Sequence, residues 1–212
     1  FDGLIGAVQT GKIDVIISGI NATPDREKVV DFSKSYLSPK QTVLVLKKNA
    51  AQFTSNVNSF AGKKVGAQRQ TTQETFVQNN MSSATLVSLQ KVPDLVSQLS
   101  AGKLAGVVLN DPISEAYAQQ NKALKVIYPQ PNEAEGAVSV AMPKNSPVLK
   151  EKINQAIDDI VSSGKLKAYK KEANTLMFAK QSFWSKYGNL FIKGTLITLA
   201  LAAVAVVIGS IL

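Results

Sequence analysis

One arrangement of apolar and polar positions occurs twice along the chain, 91 residues apart. In LIGAVQTGKIDVIISG, Leu4, Ile5 and Val8 have the spacing of one helical face, and Gly11-Lys12 and an apolar run over residues 13–17 follow. In LVSQLSAGKLAGVVLN, Leu95, Val96 and Leu99 hold the same places, ahead of Gly102-Lys103 and a run over residues 104–109. Glycine just past a helix is a favoured stop because it takes the left-handed conformation without a Cβ penalty. An unbroken apolar run suits a strand buried on both faces. Each copy therefore predicts helix, Gly-Lys turn and strand, although such units are common enough in α/β proteins for a chance match to be the alternative.

Two further stretches, one between the copies and one after the second, are placed to carry the chain between the lobes. QTVLVLKKN at residues 41–49 is extended and apolar, and GAVSVAMPK at residues 136–144 alternates in the manner of a strand. They predict a chain that leaves a first lobe and returns to it, and two crossing strands make a hinge. Residues 146–173 predict helix, with Leu149, Ile153, Ile157 and Ile160 along one stripe. The fold class expected is α/β with two lobes: residues 1–47 as a partial lobe 1, 48–135 as lobe 2, 136–178 as the return, and 179–212 as a linker and membrane helix. Ligands of open α/β sheets bind beyond the carboxyl ends of the strands. Those ends are SGINATPDR and NDPISE.

The tail GTLITLALAAVAVVIGSIL, from Gly194, runs without a charge and with NLFIK before it approaches the length of about 20 residues that crosses a bilayer. A transmembrane helix is the expectation and a buried core helix the alternative. Trp184 and Tyr187 suit an interfacial aromatic belt, and Lys193 can snorkel. Lys180, Lys186 and Lys193 then lie on the outer side, against the positive-inside tendency. The chain opens within a motif and ends within an apolar run, so the expectation is a fragment of a longer protein.

Composition narrows the chemistry. No His and no Cys occur, which removes the commonest general base, the usual zinc ligands, thiol nucleophiles and disulfides. No metal, cofactor or catalytic residue is expected. The net charge is +9, yet only Arg26 and Arg69 are arginines among 24 basic residues. Nucleic-acid binders lean on arginine for bidentate contacts and cluster their cations on one face, so no nucleic-acid partner is expected.

Three positions carry candidate binding chemistry. In SGINATPDREKVV, Thr23 caps a short helix with Pro24 at its first position. Arg26 in that first turn opposes the helix dipole unless an anion sits nearby, and its planar fork suits a carboxylate; pairing with Asp25 is the plainer explanation. In KVGAQRQTTQETF, Thr71 and Glu74 have capping-box spacing, and the helix start with the Thr71 and Thr72 hydroxyls offers an anion site, where a purely structural cap is the alternative. Asp111, at the carboxyl end of a strand, suits an ammonium, or else belongs to an Asp-Pro turn. A carboxylate site and an ammonium site together describe a receptor for a free amino acid.

At these residues the sequence resembles the polar-amino-acid solute-binding proteins of ATP-binding-cassette importers. FDGLIGAVQTGKIDVIISGINATPDREKVVDFSKSY carries most of the resemblance, which continues through GKKVGAQRQTTQETF, GKLAGVVLNDP and NSPVLKEKINQAIDDIVSSGKLKAYKKE and covers most of residues 1 to 175. The tail FWSKYGNLFIKGTLITLALAAVAVVIGSIL resembles the opening of the permease subunit, an arrangement known in Gram-positive bacteria. The resemblance implies a two-lobed periplasmic-binding-protein-like fold lacking its first strands, extracytoplasmic capture of a polar amino acid by lobe closure, and delivery to a fused permease served by a separate cytoplasmic ATP-binding subunit. It also implies site roles: Gly19 accepts the ligand ammonium through its carbonyl, Asn21 takes the usual Ser/Thr position, Arg26 binds the carboxylate with Thr71 and Thr72, Gln68 lies near the ligand side chain, and Asp111 binds the ammonium. Arg69-Gln70 stand where the family has Ser-Gly, which alters that loop. A sensory or channel module using the same two-lobed fold is the alternative, and glutamine, glutamate, asparagine and basic amino acids all stay open as ligands.

Overall fold

The computed structural model describes residues 1, 3–129, 136–177 and 183–211, with the side chains of 183–186 and 203–211 outside the described set. Phe1–Tyr169 form one compact unit and Lys170–Leu212 a second.

The larger sheet of the first unit has five strands in the order β4-β3-β5-β2-β6: β2 (Gln41–Leu46), β3 (Lys64–Gln68), β4 (Thr85–Leu89), β5 (Gly106–Asn110) and β6 (Leu124–Ile127). Its parallel part is β3 with β4 and β5 on either side, and β2 runs antiparallel to both β5 and β6. Helices α3 (Thr72–Asn80), α4 (Val92–Ser100) and α5 (Asp111–Gln120) make the connections. All six residues of β2 are buried because alternate side chains enter opposite cores. Val43 and Val45 join Phe60, Val65 and Val77, while Leu44 and Leu46 join Leu95, Leu99 and Val107. Each buried Leu or Val contributes about 1.5–3 kcal/mol by leaving water, which is why this strand reads as an unbroken apolar run.

The smaller sheet pairs β1 (Asp31–Phe32) with β7 (Ala141–Met142), extended by single bridges from Ile16 to Ala141 and from Asn21 and Leu37 to Val138. Its core holds Val8, Ile16, Ile20, Val30, Phe32 and Ala141, beneath α1 (Leu4–Gln9) and α2 (Pro24–Glu27). The two sheets are the centres of two lobes.

The repeated pattern folds as expected in its second copy: α4, Gly102 at φ +72°, then β5. In the first copy α1 and Gly11 at φ +69° are as expected, but residues 13–17 are not a regular strand. Only Ile16 pairs, exchanging N–H···O bonds of 2.8 and 3.1 Å with Ala141, and Ile17 is exposed. Strand β5 has a neighbour on each side, whereas this run has a single backbone bridge to hold it.

The expected helix over residues 146–173 is two helices, α6 (Pro147–Ser162) and α7 (Lys165–Met177). The break is Gly164 at φ +70°, whose N–H bonds the Val161 carbonyl at 3.1 Å, a left-handed stop of the kind glycine favours. The α6 stripe of Leu149, Ile153, Ile157 and Ile160 faces Val15, Tyr36 and Val140 across an apolar cavity of about 450 Å³. In the second unit α8 runs from Phe183 to Ile211. Among the described residues no helix is long and apolar enough to cross a membrane. The Trp184 side chain and Lys180 lie outside the described residues, and Tyr187 is partly exposed.

Candidate functional site

Arg26 is positioned by a short helix that its own backbone helps to cap. Thr23 at the N-cap accepts from the Arg26 N–H at 3.4 Å, and Pro24 occupies the first helical position, where its missing donor costs nothing. The guanidinium then bridges the lobes. Nη1 donates to the Asn21 carbonyl at 3.0 Å and Nη2 to the Gln70 carbonyl at 2.9 Å. The Phe1 ring lies 5.7 Å from its central carbon, within cation–π range. Asp25 is held by Lys28 at 2.7 Å, which keeps its carboxyl below the usual range.

On the facing lobe, Gln70 has φ +60°, a left-handed conformation that a side chain adopts at a cost. Its N–H donates to Glu74 Oε2 at 2.7 Å while its carbonyl receives Arg26. Glu74 also takes the Ser88 hydroxyl. Thr71 caps α3 by accepting from the Glu74 N–H at 3.4 Å and donates to the Gln68 carbonyl at 2.6 Å. The expected Thr71 and Glu74 capping box is thus present in a shifted form, with the glutamate reaching Gln70 one residue before the cap. Gln68 itself donates to the Gln90 carbonyl at 2.9 Å.

Asn21 ties three segments together. Almost fully buried, it donates through Nδ2 to the Gly136 carbonyl at 3.0 Å and accepts from the Thr72 hydroxyl at 3.3 Å. Asn21, Arg26, Gln70 and Thr72 therefore form one hydrogen-bonded group spanning both lobes.

Gly19 approaches the other strand end: a Cβ built there would lie 3.8 Å from Asn110 Nδ2. Asn110, the last residue of β5, caps α5 by accepting from the Ile113 N–H at 3.2 Å. The cap of this helix is Asn110, and Asp111 follows it. One Asp111 carboxylate oxygen accepts from the Lys40 N–H at 3.0 Å, and the Asp111 N–H returns a bond of 3.0 Å to the Lys40 carbonyl. Asp111 is thereby fixed beside the start of β2. Nearby, the Tyr128 hydroxyl donates to Glu115, and that bond, with burial and the Glu115 and Asp111 charges, pushes it up to about 12. Gln70 was singled out in the sequence only as half of the Arg69-Gln70 departure, and Gly136 and Asn110 not at all. The first two act through carbonyls, which leave no trace in residue type, whereas Asn before Asp-Pro is a recognisable cap.

Residues 1–173 match the family described as bacterial extracellular solute-binding proteins, family 3. The probable histidine-binding protein of Campylobacter jejuni is 33% identical over 165 residues, covering 77% of this chain and 63% of that protein. The arginine-binding extracellular protein ArtP of Bacillus subtilis is 26% identical over 175 residues, covering 81% and 67%. Among solved structures, the amino acid ABC transporter substrate-binding protein AbpA from Streptococcus pneumoniae, bound to L-arginine, superposes with a TM-score of 0.78 at 34% identity, covering 82% of this chain and 73% of that one. The chain spans 63% of the length of the first of these relatives. All three are binding proteins and not enzymes. The chain belongs to family 3 of the bacterial extracellular solute-binding proteins.

Proposed function

We propose that this chain carries the amino-acid-capturing fold of an ABC importer, and that the space around Arg26 receives a free polar amino acid. Arg26 holds the α-carboxylate together with the Thr71-Thr72 start of α3, Asp111 and the Gly19 carbonyl hold the α-ammonium, and Asn21 and Gln68 border the ligand. The relatives named for arginine and histidine put cationic amino acids first among the candidates.

The observation that carries this reading is the bond from Arg26 to the Gln70 carbonyl. A guanidinium reaching from one lobe to a neutral carbonyl on the other exchanges that acceptor for a carboxylate at a gain, because a carboxylate adds an opposite charge and can take two parallel N–H···O bonds from the planar fork. Ligand arrival then replaces a direct contact between lobes with one made through the ligand, and closure of the lobes reports occupancy.

The test is a thermal-shift screen of the full-length protein against free amino acids and their analogues. A polar or cationic amino acid is expected to raise the unfolding midpoint. Analogues lacking either the α-ammonium or the α-carboxylate are expected to leave it unchanged. Equal stabilisation by the analogues contradicts the two-ended site.

The same reading extends to the tail. Its 19 uncharged residues from Gly194 onward open the first membrane helix of a fused permease, which receives the ligand from an extracytoplasmic domain and is powered by a separate ATP-binding subunit. Tethering raises the receptor's effective concentration at the permease without new contacts. Membrane fractions that keep the protein through alkaline carbonate washing support this, and release by the wash contradicts it.

A further inference from the structure

Helix α7 carries an exposed apolar face that the ligand site does not account for. At 3.6 residues per turn, Leu166, Tyr169, Ala173, Leu176 and Met177 fall within an arc of about 100°. Lys165 and Lys170 stand at the two edges of that arc, and Lys167 and Lys171 lie on the opposite side. Leu166 is partly covered in the apolar cavity against α6, but Tyr169 is 50%, Leu176 64% and Met177 40% exposed. All four lysines are exposed as well.

Charge distribution points the same way. Of the 24 Lys and Arg and 15 Asp and Glu, residues 165–193 hold seven lysines and one acid, Glu172, so most of the net +9 sits in this segment. Cations on the outer side of a membrane helix run against the usual asymmetry, and a functional reason must compensate. An apolar arc edged by lysines is the pattern of a helix lying in the membrane interface, its aliphatic stems in the acyl boundary and its ammonium groups among the headgroups.

We propose that α7 docks on the lipid surface through this face, and that its lysines select anionic phospholipid headgroups. The proposal rests on the membrane reading of the tail given above. It explains why the lysines precede the uncharged run: they hold the receptor's last helix flat on the bilayer from which the chain then departs.

The test uses the whole chain with Met177→Cys, labelled with an environment-sensitive fluorophore; the sequence has no other cysteine. It is mixed with vesicles of phosphatidylcholine alone, or of phosphatidylcholine and phosphatidylglycerol in equal parts. Emission is expected to shift to the blue with the anionic vesicles, and added salt to reverse the shift. Replacing the two edge lysines, Lys165 and Lys170, by Gln is expected to weaken that response about 25-fold in lipid concentration, at roughly fivefold per lysine. The same emission with both lipids, or in the lysine variant, overturns the proposal. Flotation of the chain with phosphatidylcholine vesicles reports insertion of the tail separately. Failure to float defeats the membrane helix, while the fluorophore at residue 177 still decides α7.

Discussion

At the scale of single residues, the site turns on conformations that residue type only partly reveals. Arg26 stood out as a cation in a first helical turn, but α2 is a single turn in which Arg26 also belongs to the last, so no dipole opposes it, and its two carbonyl bonds give it a partner on each lobe. Gln70 was legible only as a departure from Ser-Gly. Its φ of +60° shows why a glycine fits there: a side chain in the left-handed region costs about 1–3 kcal/mol, while glycine costs about 0.5–1 kcal/mol through the freedom it adds to the unfolded chain. Gln70→Gly is therefore expected to stabilise the protein by roughly 1 kcal/mol, read as a raised urea midpoint at unchanged slope. A second residue-level expectation concerns pH. Asp31 accepts from Lys144 Nζ at 3.0 Å and the Asn145 N–H at 2.9 Å, and the Lys144 bond, outweighing burial, holds its carboxyl below the usual value near about 4. A lowered folded value means stability that is present above the ordinary carboxylate range and is lost as pH falls through it. Urea titrations at pH 6 and pH 3 are expected to show Asp31→Asn less stable than the parent at pH 6, with the gap narrowing at pH 3.

At the scale of elements, hydrophobic pattern located what was buried on two sides and failed where pairing was local. Strands β2 and β5 announced themselves through apolar runs because both faces meet a core. Residues 13–17 carry a similar run broken by Asp14, and a single bridge to Ala141 holds them, since pattern records side-chain burial and not the number of backbone partners. The division of α6 from α7 was written in Gly164, whose left-handed φ outweighs the continuous apolar stripe. Close packing yields one firm expectation here. A Cβ on Gly106 would lie 2.6 Å from Val43 Cγ1 and 3.1 Å from Phe60 Cε1, in the middle of the larger sheet. Gly106→Ala is expected to destabilise by about 1–3 kcal/mol through overpacking. A Val43→Ala partner that removes the nearest methyl is expected to recover part of the loss, measured as a double-mutant cycle.

At the scale of the whole molecule, the two-lobed plan was readable from the spacing of the repeat. The bonds between lobes were not, since the Gln70 and Gly136 carbonyls and the Asn21 amide network depend on how distant segments meet. The site couples these scales: a cap positions one cation, a left-handed loop presents one carbonyl, and the two meet between the lobes. The most direct test is calorimetric titration of L-arginine into the full-length protein and into Arg26→Ala. The account expects saturable binding by the parent and a loss of about 3 kcal/mol in the variant, more than a hundredfold in Kd, as for removal of one partner from a charge pair, with circular dichroism unchanged. An Arg26→Ala protein that binds as tightly as the parent contradicts it.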